Sequence, residues 1–296
     1  MNSRLLRSNV IGVGRSLLAA STFFSLALND PRELFQPFGE QVPYWSAQFS
    51  LFRVLPDLQL ARALACAALI LVVIGYRPRI TAVVHWYVTF SYAQSSFIAE
   101  GGDSLASILC LMLIPVLMFD GRKFHWTDET TDAISPSGWA EAITSVTYQV
   151  IRVQMCIVYL QASVGKMVKP EWASGTAIYY WLQHPVFGPP APFSETILWF
   201  LDRPLLSFLI TWGVMLLELA LASGLVIERR YRTGLFWLGI GFHFAIFLVH
   251  GLGTFGLAMG GALVLYLRDP LASIPLPRFL QKVSLTNRHS HVRLNP

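Results

Sequence analysis

Charge is what this chain has little of. Only 13% of its 296 residues are Asp, Glu, Lys or Arg, against about a quarter in a soluble globular chain. With 54% hydrophobic residues and a mean hydropathy of +0.52, that shortage excludes a soluble domain and implies an integral membrane protein. Cysteine is scarce too. Cys66, Cys110 and Cys156 each lie inside an apolar run, which excludes a disulfide framework and fits no zinc pattern. There is no P-loop, GxSxG, HExxH or dinucleotide fingerprint, so the common motif-defined enzyme classes are excluded. The net charge of +5 would suit nucleic acid. The basic residues sit between apolar runs, however, as membrane topology requires, and no nucleic-acid partner is expected.

What is present is a series of apolar runs. A spanning helix needs roughly 17–25 mostly apolar residues. On that ruler the spans run near Val10–Leu28, Leu58–Tyr76, Ile80–Ala99 and Ser104–Phe119, then through the stretch beginning at Gln149. They continue over Leu205–Ile227, Thr233–His250 and Leu252–Leu267. Only His250-Gly251 separates the last two, so a re-entrant pair is an alternative there. Arg4 and Arg7 precede the first run with no clear cleavage site, which predicts a signal anchor. The expected fold is all-α: a polytopic bundle of about eight transmembrane helices with short amphipathic helices on the outer face. One transmembrane domain is expected over residues 1–270, with a basic cytoplasmic tail over 271–296.

Basic residues alternate from loop to loop. With the N-terminus inside, the inner segments carry Arg77, Arg79, Arg122, Lys123, Arg229, Arg230, Arg232 and Arg268, besides the terminal arginines. The outer segments carry far fewer. Cytoplasmic loops are enriched in Lys and Arg, so both termini of this multi-pass chain are expected in the cytoplasm. Two long outer segments, from Pro31 to Pro56 and from Trp172 to Pro204, hold Trp45, Tyr179, Tyr180, Trp181 and Trp199. Such aromatics suit helices lying at the membrane–water interface, or a plain aromatic belt.

The chemistry concentrates in Gln149–Gly175, an apolar span that nevertheless holds Arg152, Gln154, Gln161 and Lys166. Arg152, Tyr159 and Lys166 are seven apart and share one helical stripe, drifting about 20° per step. Charge inside a span faces a protein interior or a wet cavity by default. For Lys166, near a helix end, the alternative is to snorkel to the headgroups. Glu100-Gly101-Gly102-Asp103 forms an outer turn. Asp103 either pairs with Lys166 or Arg152, or caps the fourth span. His243 and His250 share a face but are seven apart, poor spacing for one metal, so no metal site is expected. His85 and Glu218 are further intramembrane polar groups expected to face inward.

Several of these residues carry a resemblance. The segment from Ile151 to Gly175, with Arg152, Gln154, Tyr159, Lys166, Trp172 and Gly175, resembles the core helix of the vitamin K-dependent gamma-carboxylases. More broadly it is similar to the horizontally transferred transmembrane (HTTM) domain family. The turn Gly101–Ser104, and Phe242-His243 followed by Leu252–Phe255, fit the same family in the same order. Asn9 and Gly14-Arg15-Ser16 look closest to its bacterial sporulation-delaying protein B branch. The resemblance implies maturation of a secreted, toxin-type peptide together with a small partner protein. It also implies Lys166 as a base, Asp103 as its tuning partner, and a reduced, vitamin K-like quinone as the cofactor. Arg152, Gln154, Tyr159, His243, His250, Glu100, Trp172 and Glu218 would line or brace the pocket. Where the carboxylases carry Asn-His, this chain has Gly102-Asp103, and their large extra-membrane domain has no counterpart here.

The leading expectation is therefore a membrane protein that modifies a secreted peptide, by carboxylase-like chemistry at an outer-facing lysine. A non-catalytic peptide-binding, immunity or export subunit is the alternative, and a quinone-binding or transport protein the third. Transport would be favoured by inverted internal repeats, and none is visible.

Overall fold

A computed structural model describes residues 9–35, 45–126, 138–185, 188–189, 193–270 and 274. The basic tail expected over 271–296 thus falls outside the described residues, apart from Ile274.

The long helices among the described residues are α1 (Val10–Leu28), α2 (Leu58–Ile74), α3 (Pro78–Ser95), α4 (Gly101–Leu117), α5 (Gly138–Met167), α6 (Pro204–Ala222), α7 (Arg229–His250) and α8 (Gly253–Leu267). No strand occurs among them, only an isolated bridge between Tyr76 and Phe124. This is an all-α membrane bundle. α1, α5, α6 and α7 are each long and apolar enough to cross a bilayer, whereas α2, α4 and α8 are shorter apolar helices. α3 carries Thr81, His85, Thr89 and Ser91, all turned to the interior.

Local chemistry sets the boundaries. Asp57 caps α2 by accepting the Gln59 and Leu60 N–H groups at 2.9 and 3.2 Å. Pro78 and Pro204 open α3 and α6, where a missing N–H costs nothing. The third helix stops at Ser95, short of the expected Ala99, because Ser96 turns extended. α5 begins well before Gln149. Ala140, Thr144, Tyr148, Ile151, Arg152, Met155, Tyr159 and Ser163 form one buried stripe, so the last residues of the polar segment Asp120–Ala142, which reads as a loop with a surface helix, belong to α5. At about 1.5 Å per residue, its 30 residues reach well beyond the roughly 30 Å hydrocarbon core of a bilayer.

α8 is the axis of the bundle. Every residue from Ala258 to Leu267 is buried, as expected for a helix apolar all round. It lies antiparallel to α1. Ser21 Oγ donates to the Thr254 carbonyl at 2.8 Å, and Asn9 Nδ2 to the Ile274 carbonyl at 2.7 Å. Between those contacts the backbones touch. A Cβ on Gly261 would stand 2.8 Å from the Gly14 oxygen, the close approach that small residues permit in membranes. α7 and α8 are joined through Gly251, whose φ of +72° closes the turn.

The segments between α1 and α2 and between α5 and α6 contain short helices, Pro31–Leu34, Leu51–Val54, Pro170–Ala173, Ala177–Leu182 and Phe193–Leu201. Trp199 and Phe193 of the last are exposed. These are the short helices expected on one face. The opposite end holds the starts of α3 and α7, residues 118–126 and Arg268, and so gathers the basic residues.

Candidate functional site

The α5 stripe turns inward along its whole length, each charged or polar group meeting a different partner. Near its middle Arg152, 7% exposed, donates through Nη2 to the Gly224 and Leu225 carbonyls at 3.1 and 2.9 Å. Those carbonyls end the 3-10 turn after α6, where a cation is favoured. Two turns on, the Tyr159 hydroxyl lies 3.0 Å from His243 Nε2 of α7. Both side chains are buried.

Two turns further, Lys166 Nζ sits 2.6 and 2.9 Å from the Glu218 carboxylate oxygens of α6. Helical side chains lean toward their own N-terminus. Lys166 does so, and also donates to the Ala162 carbonyl at 3.4 Å. It therefore points back into the bundle rather than out to the headgroups. The Trp172 ring covers it, 5.3 Å from Nζ to the centroid, an attractive cation–π arrangement. Side-chain exposure is 26% for Lys166 and 8% for Glu218, so the carboxylate is the more deeply buried partner.

The Glu100–Asp103 turn does something else. Asp103 accepts the Glu100 N–H at 2.9 Å, which is the capping arrangement, and forms no ion pair with Lys166 or Arg152. Burial, reinforced by the negative charge of Asp103, raises the Glu100 carboxyl above its usual value. Gly102 packs against Phe255 and Ala258 of α8. Gln154 is half-buried and takes no part in the line. His250 ends α7, about 10 Å along the helix from His243.

The expected residues thus divide. Lys166, Tyr159, Arg152, His243, Glu218 and Trp172 come together on one side of α5, while Glu100 and Asp103 close the top of α4. The Lys166–Glu218 pairing went unread in the sequence. Its signal was there: Glu218 is the sole ionisable side chain in α6, and a lone charge in a span needs a partner.

A second buried polar cluster was almost wholly missed. Arg15, the sole charge in α1, is fully buried and donates to Thr81 Oγ1 at 2.7 Å. Asp120 and Arg122 form a buried ion pair at 2.8 Å, and Arg122 Nη1 also holds the His125 carbonyl at 3.0 Å. The His125 ring fills the space over Gly12 and Gly75, with Nε2 3.3 Å from Ser16 Oγ. His85 lies 3.5 Å from the Cys110 sulfur. Asp120, Arg122 and His125 belong to a connector that reads as a polar loop, so nothing in their spacing announces burial.

A polytopic helical membrane protein with one ion-paired lysine inside the bundle is the class these features define. The chain belongs to the HTTM domain family, whose model matches residues 40–269. It is 33% identical to the sporulation-delaying protein SdpB of Bacillus subtilis over 277 residues, 90% of this chain and 84% of that one. It is 30% identical to the B. subtilis protein YitO over 292 residues, 95% of this chain and 92% of that one. No solved structure matches it significantly.

Proposed function

We propose that this membrane protein acts in the maturation of a secreted, toxin-type peptide, and that the buried Lys166–Glu218 pair is its proton-transferring group. The observation that supports this is the 2.6 Å contact between the two side chains. A structural lysine at a helix end has an inexpensive alternative in snorkelling, yet this one is drawn inward onto a carboxylate. Amine and carboxylate share one proton across that contact. In such a pair the Glu218 carboxylate is the group that can accept a proton from a substrate, and the Lys166 ammonium the group that can donate one. Glu218 thereby fills the partner role beside Lys166. Tyr159 and His243, one helical step below, brace the same wall.

Basic residues gather at the end of the bundle opposite the pair, which supports cytoplasmic termini and an outward-facing site. A small partner protein and the peptide would then approach over the Pro170–Ala173 and Phe193–Leu201 helices. The reduced quinone implied by the resemblance needs a neutral lysine. The Lys166 ammonium instead has the two Glu218 oxygens and the Ala162 carbonyl as its partners. These residues do not fit a free amine base of the kind a quinol would require.

The test is mass spectrometry of the secreted peptide from cells carrying its gene and the partner genes. Wild type is compared with Lys166→Ala and Glu218→Gln at equal membrane levels. A mass change present in wild type and lost in both variants supports the reading, and a gain of one CO2 would identify carboxylase-type chemistry. Identical peptides from all three would overturn it in favour of a peptide-binding or immunity role.

A further inference from the structure

We propose that Arg152, Arg232 and Arg268 form a binding site for a phosphate group, at the end of the bundle where the basic residues gather. The three come from α5, the start of α7 and the residue after α8. They meet around Tyr148. The Tyr148 hydroxyl donates to the Arg268 carbonyl at 2.6 Å. The Arg152 and Arg232 guanidiniums both lie within electrostatic range of the phenol and of each other. The Arg268 guanidinium lies over the Phe236 ring, 5.4 Å from its centroid. Phe236 follows Arg232 by one helical turn, so Arg268 and Arg232 share one face of α7.

Charge pairing at this end runs against the usual order. Exposed cations gain little from a partner, whereas buried ones need one. Here Arg229 and Arg230, with side chains 70 and 68% exposed, pair with Asp269 and Glu228. Arg152 is 7% exposed, and Arg232 and Arg268 are half-buried. None of these three has a carboxylate within ion-pair distance among the described residues. Backbone carbonyls offset part of the charge. Arg152 donates to Gly224 and Leu225, and Arg232 Nε donates to Ile227 at 3.2 Å. A helix C-terminus offers about half a negative charge, against three full positive ones. Arginines that only set topology sit in loops and reach into water, as Arg229 and Arg230 do.

The donors left over are accessible. Both terminal nitrogens of Arg232 are without a partner among the described residues, as is the guanidinium of Arg268 apart from its ring contact. None of these nitrogens is enclosed. Each guanidinium is a planar fork of N–H groups whose spacing matches two oxygens of one phosphate. Arg152 stands behind them, held by its carbonyls, and adds charge. A phosphate monoester brings three acceptor oxygens and nearly two negative charges. It would offset most of the surplus, which a single carboxylate would not.

Two sources carry such a group. Val226, in the turn that Arg152 and Arg232 hold, is 82% exposed, and Trp237, next to Phe236, is 62% exposed. Apolar neighbours of this kind meet acyl chains, and basic pockets between membrane helices bind lipid headgroups. A soluble phosphate offers the same oxygens without the chains. The inference stands apart from the peptide reading. Arg152 and Lys166 are about 21 Å apart along α5, and no catalysis is involved.

The experiment uses the full chain in dodecyl maltoside, a detergent without phosphate, and follows thermal unfolding. One arm adds dioleoylphosphatidic acid and compares it with dioleoylglycerol, which has the same chains and no phosphate. The other adds inorganic phosphate and compares it with chloride at equal ionic strength. A ligand that binds only the folded state raises Tm. A gain of several degrees is expected in at least one arm, and the arm that shows it names the source. Arg232→Gln and Arg268→Gln should each remove most of that gain. Arg230→Gln takes the same charge from the same end and should leave the gain intact. Arg152→Gln is a poorer test, because it also releases the carbonyls after α6. Each variant is compared with itself, with and without the phosphate, so a general loss of stability cancels. No gain in either arm would overturn the proposal, as would a gain undiminished in Arg232→Gln and Arg268→Gln. A gain that Arg230→Gln shrinks equally would also overturn it, as general attraction to a basic surface.

Discussion

The α5 line and the cluster beneath residues 118–126 both bury charge, but they hold it differently. On α5 the charges are spread along a helix, each meeting one partner on a separate element, and Lys166 keeps some exposure. Beneath the connector, Asp120, Arg122 and His125 lock to one another within six residues of chain, and the His125 ring plugs the bundle over Gly12 and Gly75. Arg15 nearby has Nε and Nη1 unpartnered. The first arrangement leaves an ion pair within reach of a substrate. The second seals an end. On the proposed function, chemistry belongs to the half-open cluster and stability to the closed one.

Breaking the closed cluster should have the largest effect on stability. Asp120→Ala removes the carboxylate that the Arg122 guanidinium holds at 2.8 Å, both side chains being 5% exposed. Loss of one member of such a pair costs about 3–5 kcal/mol, read as a steep fall in Tm of the purified protein. Peptide maturation per folded molecule should be unchanged.

The open cluster should respond less in stability and more in function. Lys166→Met strands the Glu218 carboxylate, at about 2–3 kcal/mol once the partial exposure of the lysine is discounted. Glu218→Gln should cost about 1–2 kcal/mol, because the lysine left behind can swing to the headgroups. The double variant Lys166→Met with Glu218→Leu should recover most of the stability and none of the activity. Recovery of both would make the pair purely structural. Smaller again is Gly75→Ala, which adds a Cβ at φ +84° and 2.7 Å from the His125 ring. The left-handed conformation alone costs an alanine about 1–2 kcal/mol, and the displaced ring should add to that in the same unfolding measurement.

How much of this was legible follows from what each feature depends on. α1 was readable to its last residue, since Asn9 and Asn29 bound a mostly apolar run. The Arg152–Tyr159–Lys166 stripe was readable because helical period alone puts those residues on one face. That α8 forms the axis was not readable. Its average hydrophobicity equals that of α6, and only packing decides which apolar helix is enclosed. The partner of Lys166 was readable only in part. Glu218 stands out as a lone charge in α6, but the sequence offers Asp103 as well, and the choice between them lies in the α5–α6 contact, 52 residues apart in sequence. The burial of His125 depends on two glycines more than 45 residues upstream making room for a ring, a match of shapes that no local pattern records.

The smallest effect is a pH dependence that separates the clusters. Burial first, then the positive charges of Arg15 and Arg122 with a contribution from His85, hold His125 well below its ordinary value of 6.5. The folded state therefore keeps the ring neutral where the unfolded chain takes up a proton. Stability from this residue is fully present above about pH 6.5 and is lost as pH falls toward the depressed folded value, by at most about 1.4 kcal/mol per unit. His125→Gln should lower Tm near neutral pH, because it loses the ring packing over Gly12 and Gly75. It should also flatten the decline between about pH 6.5 and 5. A decline of unchanged slope in the variant would place the titrating group elsewhere, and the sealed end would then owe its stability to the Asp120–Arg122 pair alone.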